Sequence, residues 1–104
     1  MSTNIGVSLR YAVDLLGIMV TYTQGATVKT FKVGYKAVDI NDRELINAYG
    51  INTKVVTLLS TYGIEPLKYD VIDVGVERYI VQGSIPLRDI DSSIIGYKLY
   101  AVGE

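Results

Sequence analysis

Residues 68–81, Lys-Tyr-Asp-Val-Ile-Asp-Val-Gly-Val-Glu-Arg-Tyr-Ile-Val, read as two short strands folded back on each other at Gly75. β-Branched and aromatic residues flank the glycine on both sides, and glycine supplies the positive φ that a tight hairpin turn demands. Ile72, Val74, Tyr79 and Val81 are the core candidates of this hairpin, while Asp70 and Arg78 read as ordinary edge polar groups.

Working outward, Ile18–Thr23 alternates with period two, Ile18, Val20 and Tyr22 against Met19, Thr21 and Thr23, the pattern of a strand with one buried face. Gln24-Gly25 breaks it. Thr27–Val38 alternates again, with Phe31, Val33, Tyr35 and Ala37 on one face and Thr30, Lys32, Gly34 and Lys36 on the other. Thr53–Thr61 is rich in β-branched residues and apolar on both faces, which places it in the sheet interior. Ser93–Val102 alternates as a last strand, and Gly83–Asp91, with Pro86 and three charges, reads as a loop before it.

Two helices are expected. Leu9, Ala12, Val13 and Leu16 recur at helical spacing, with Ser8 as cap and Gly17 as stop; Met1–Gly6 reads as a loose arm ahead of them. A shorter helix, Arg43–Ala48, capped by Asn41 or Asp42 and stopped by Gly50, lies in a polar insertion at Asp39–Asn52. About six strands joined by hairpins, without long crossovers, predict one mainly β domain over 1–104, a small antiparallel β-barrel or sandwich with one or two short α-helices.

The 104 residues match the commonest single-domain size. A net charge of -1 gives no overall field toward nucleic acid or an acidic membrane. No apolar run approaches the ~20 residues of a membrane span, and no basic leader opens the chain, so synthesis in the cytoplasm is expected.

Histidine and cysteine are both absent. Ser-His pairs, thiolates and the common zinc spacings are therefore excluded. The close carboxylates are Asp39 with Asp42 and Glu44, Asp70 with Asp73, and Asp89 with Asp91. Each set sits at an expected turn or helix start, where aspartate accepts backbone N–H bonds. A divalent-metal site or a glycosidase-like pair is the competing reading. We expect no enzyme, no cofactor and no metal. Lys29, Lys32, Lys36 and Lys54 are the best candidates for a nucleic-acid contact, but Phe31 and Tyr35 fall on the face opposite Lys32 and Lys36.

The order Asp70, strand, Gly75 turn, Arg78-Tyr79-Ile80-Val81, charged Pro-containing loop and tyrosine-bearing last strand, preceded by a helix, a hairpin and a polar insertion, resembles the head-completion (head-closure or stopper) proteins of tailed bacteriophages. The likeness covers most of the chain by element order and is specific in residues around Asp70–Val81. It implies a β-barrel subunit of a homo-oligomeric ring of six or twelve copies in the virion neck. Such a ring lies below portal and adaptor proteins, retains packaged DNA as the content of its channel, and offers a docking surface to tail proteins.

By position the segment that lines or closes the channel in that family matches Asp39–Asn52, so Asp42, Arg43, Glu44, Asn47 and Tyr49 become contact candidates. The loop at Ser84–Ser92 adds Arg88, Asp89 and Asp91. The insertion is short and has no basic excess, which favours a steric or subunit contact over a grip on phosphates. A phage tail-completion protein, or a small-barrel module binding nucleic acid or a ligand, is the alternative.

Overall fold

The Gly75 hairpin forms as the sequence requires: Gly75 has φ +60°, and Val71, Ile72, Asp73 and Val74 pair with Ile80, Tyr79, Arg78 and Glu77. A computed structural model describes residues 4–39, 41–50 and 52–103. Its elements are α1 (Asn4–Leu16), β1 (Ile18–Gln24), β2 (Thr27–Ala37), α2 (Arg43–Tyr49), β3 (Thr53–Leu59), a 3-10 turn (Ser60–Tyr62), β4 (Val71–Val74), β5 (Glu77–Arg88) and β6 (Ile94–Gly103).

The six strands close into an antiparallel barrel in the order β1-β2-β3-β6-β5-β4. The seam is β4 against β1, with Thr21 opposite Asp73 and Thr23 opposite Val71.

Alternation decides what lies inside. Val20 and Tyr22 from β1, Phe31 and Val33 from β2, Val56 and Leu58 from β3, Ile72 from β4, Tyr79 and Val81 from β5, and Leu99 and Ala101 from β6 form one buried cluster. Each fully buried aliphatic chain contributes about 1.5–3 kcal/mol relative to exposure. β3 is buried on both faces, because Val55 and Leu59 on its outer side are covered as well.

Part of that cover is α1, which lies on the outer wall against β2 and β3 and buries Val13. It also reaches β6. A side-chain carbon at Gly96 would stand 3.2 Å from Leu9 Cδ2 and 2.6 Å from the Leu58 carbonyl, so the close approach of helix to wall requires glycine there. Gly17 ends the helix by donating its N–H to the Val13 carbonyl (2.8 Å), and Lys32 Nζ donates to the Asp14 carbonyl (2.9 Å), placing a cation on the helix C-terminus.

Three expectations need correction. α1 starts at Asn4, so Asn4–Gly6 are helical, not part of an arm, and Ser8 lies inside the helix where it cannot cap it. Met1–Thr3 of the expected arm lie outside the described residues. The supposed loop Gly83–Asp91, and with it Ser84–Ser92, is mostly strand, because β5 continues to Arg88 through a register shift between Val81 and Gly83.

Pro86 misled the reading. β4 ends its pairing at Ile80, so this stretch has β6 on one side and no strand on the other, an edge where a residue without N–H is tolerated. Only the turn 89–93 remains of the loop.

Candidate functional site

α2 begins as its sequence dictates. Asp42 accepts the Leu45 N–H at 3.2 Å, and Gly50 donates to the Ile46 carbonyl at 2.7 Å. Seven residues are too few for an isolated helix. Tyr49 holds it to the barrel by stacking on Tyr100 of β6, ring centroids 5.4 Å apart and planes 14° off parallel.

Gly83, opposite Tyr100 in the β5–β6 ladder, makes room for this stack: a side-chain carbon there would stand 2.6 Å from Tyr49 Oη. Burial, then the neighbouring Tyr49 and Asp42, push the Tyr100 phenol up. Arg43, Glu44 and Asn47 are left exposed on the helix, with Asp39, Asn41 and Asp42 beside them. That surface mixes both charge signs without a basic excess.

The second group of candidates lies elsewhere. Thr53, just after α2, pairs with Val102 at the end of β6, whereas Arg88, Asp89 and Asp91 sit at its start. At about 3.3 Å per strand residue the two groups stand roughly 25 Å apart along the wall. The structure therefore does not unite them; it places them toward opposite ends of the barrel.

The turn at Asp89–Ser93 is heavily cross-tied. Asp89 N–H donates to the Ser93 carbonyl (2.9 Å), Ser92 N–H to the Asp89 carbonyl (2.9 Å), and Arg88 Nη1 to the Ser92 carbonyl (2.8 Å). Asp89 Oδ1 accepts from Ile90 N–H (2.7 Å), and Asp91 Oδ1 accepts from Ser93 N–H (3.0 Å) and Oγ (2.5 Å). These Ser93 donors hold the Asp91 carboxyl below its ordinary range. Asp39 likewise accepts from Asn41 N–H at 2.9 Å, so these carboxylates serve turns and caps.

Two polar clusters escaped the sequence reading. Asp70 is not an edge group: it is only 6% exposed, and its Oδ2 accepts from Tyr22 Oη (2.5 Å), Gln24 Nε2 (2.9 Å) and Leu67 N–H (2.8 Å). Burial, reinforced by Asp70, raises the Tyr22 phenol well above its ordinary value. This knot ties the 63–70 segment across the barrel end, where Ile64 is buried and Tyr62 stacks on Phe31 at 4.2 Å.

Near the other end Tyr35 Oη donates to Tyr79 Oη (2.9 Å) and Tyr79 donates to the Glu77 carboxylate. An open cleft of about 410 Å³ lies beside this chain, lined by Asn52, Glu77, Arg78 and Gly103. The Glu77 bond, then the Tyr35 bond, raises the Tyr79 phenol. The local sequence does not signal either cluster, because Tyr22 and Gln24 reach Asp70 from β1 and Tyr35 reaches Tyr79 from β2.

Three of the four lysines of the stripe are engaged within the fold: Lys29 Nζ donates to the Tyr62 carbonyl (3.1 Å), Lys32 caps α1, and Lys54 lies 5.9 Å from the Tyr35 ring centroid. Among the described residues no group of three or more Asp and Glu could hold a metal ion, and no helix is long and apolar enough to cross a membrane. The chain matches no protein-family model, no curated protein and no solved structure.

Proposed function

We propose that the chain is a structural subunit of a tailed-phage virion, a head-completion protein that assembles as a ring below the portal, helps retain packaged DNA and presents a surface to the tail. The observation that carries this reading is the separation of the two sets of contact candidates along one closed barrel: the exposed face of α2 and the cross-tied turn between β5 and β6. A ring subunit that meets several different neighbours needs separate, unlike surfaces of this kind. The carboxylates support a structural role over a catalytic one, since Asp39, Asp42, Asp70, Asp89 and Asp91 are each engaged by backbone N–H groups.

The test is complementation of DNA-filled heads that lack the neck. Added protein should bind the portal vertex and render the packaged DNA resistant to nuclease. Heads that stay leaky, with the protein remaining in the supernatant, would refute the reading. In the source genome a portal gene upstream and tail genes downstream are expected, and a metabolic operon would count against it.

A further inference from the structure

Ile90 is 76% exposed at the tip of the β5–β6 turn, yet the turn that displays it is fixed by the six hydrogen bonds described above. A branched apolar side chain presented on a rigid support loses little freedom when it is captured, which is the condition for a strong contact from a small area. Ile94, opposite Arg88 at the base of the turn, is also partly exposed.

The same chain carries a matching recess. Between α1 and the outer face of β2 and β3 lies a groove of about 280 Å³, lined by Leu9, Ala12, Leu16, Gly34, Val55 and Thr57. Leu16 is left 82% exposed on its border. Lys36 also lines the groove and makes no ion pair among the described residues, while Asp91 stands next to Ile90 with its carboxyl exposed. The knob and the recess thus carry opposite charges beside their apolar centres. Within one molecule the two are set apart along the wall: the groove-lining Val55 and Thr57 pair with Tyr100 and Lys98, whereas the turn precedes Ile94 at the start of β6.

We infer that Ile90 of one copy docks into the α1–β2–β3 groove of a second copy, with Asp91 against Lys36. Knob and groove are different patches of one chain, so the contact is head to tail and propagates around a ring instead of closing a two-fold pair. The inference rests on the ring reading and names the surfaces that would join neighbours.

Because the natural chain has no cysteine, the contact can be trapped with introduced thiols. Full-length Ile90→Cys and Ala12→Cys chains are mixed and oxidised, with Ile90→Cys plus Thr30→Cys as the control pair. The first mixture should give a disulfide heterodimer well above the control. Lys36→Glu in the Ala12→Cys chain should lower its yield by about threefold to fivefold, and Asp91→Lys in the partner should restore it.

A yield no higher than the control overturns the inference. If the unmodified protein still forms rings by native mass spectrometry, the ring reading survives that failure. A chain carrying both cysteines should give a ladder ending in one closed species. If it gives only reciprocal dimers, head-to-tail propagation and the ring reading fall together.

Discussion

Tyr22 and Asp70, 48 positions apart in the sequence, meet inside the barrel end with the phenol donating to the carboxylate at 2.5 Å. The bond joins β1 to the segment entering β4, so it braces the seam that closes the barrel. Hydrogen bonds to charged groups contribute about 1.5–3 kcal/mol. Tyr22→Phe should therefore lower stability by about that amount, and Asp70→Ala by more, since it also removes the acceptor of the Leu67 N–H and one of the two acceptors of Gln24 Nε2. The double variant should cost less than the sum of the two in urea unfolding; strict additivity would show that the bond carries no coupling.

Stability should fall at alkaline pH. Four of the nine tyrosines, Tyr22, Tyr62, Tyr79 and Tyr100, have phenols raised above their ordinary value. A phenol whose folded value exceeds its unfolded value of ~10 binds its proton more tightly in the native state. Its contribution is complete below pH ~10 and is lost as pH rises toward the folded value. Tyrosinate absorbance should show these four ionising together with unfolding, and Tyr22→Phe should flatten the alkaline limb.

Gly96 and Gly83 should respond differently to an added methyl. At Gly96 the new carbon meets the Leu58 backbone at 2.6 Å, and the wall cannot yield without breaking the β3–β6 ladder, so Gly96→Ala should cost about 2–3 kcal/mol. At Gly83 it meets the far end of the Tyr49 side chain, which can swing away. Gly83→Ala should cost less and should reduce the near-ultraviolet circular dichroism of the Tyr49–Tyr100 stack.

The exposed face of α2 and its anchor are separable. Arg43→Ala, Glu44→Ala and Asn47→Ala combined should change stability by no more than about 0.5 kcal/mol each, as solvent-facing changes do. Tyr49→Ala should cost about 1–3 kcal/mol by uncovering Tyr100, and Asp42→Ala about 1 kcal/mol through the lost cap. If α2 is a contact surface, the triple variant should fold normally and fail in head complementation.

Local pattern made most of the barrel legible. The alternation of Ile18–Thr23 and Phe31–Tyr35 placed their inward residues, Gly75 placed the hairpin turn, and Asp42 with Gly50 bounded α2, whereas Ala37, expected on the buried face, is exposed. The readings that failed depended on partners far along the chain. Asp70 looks like any turn aspartate until Tyr22 and Gln24 arrive from β1, and Pro86 looks like a loop residue until it is known that β4 has already ended on that side. Of the site candidates, each local set was legible as a turn or cap. Their separation to the two ends of the wall was not, because strand order rather than sequence order decides it.

The β1–β4 seam also sets an order of events in folding. The β1–β2 and β4–β5 pairs are local hairpins that can form in about 1–10 μs, whereas β1–β4 and β3–β6 join segments well separated in the sequence and must first overcome the entropy of closing long loops. A barrel of this kind should fold in milliseconds to seconds, with seam closure as the late step. In pulsed hydrogen exchange, amides of the Gly75 hairpin should gain protection before those linking Tyr22 to Ile72 across the seam.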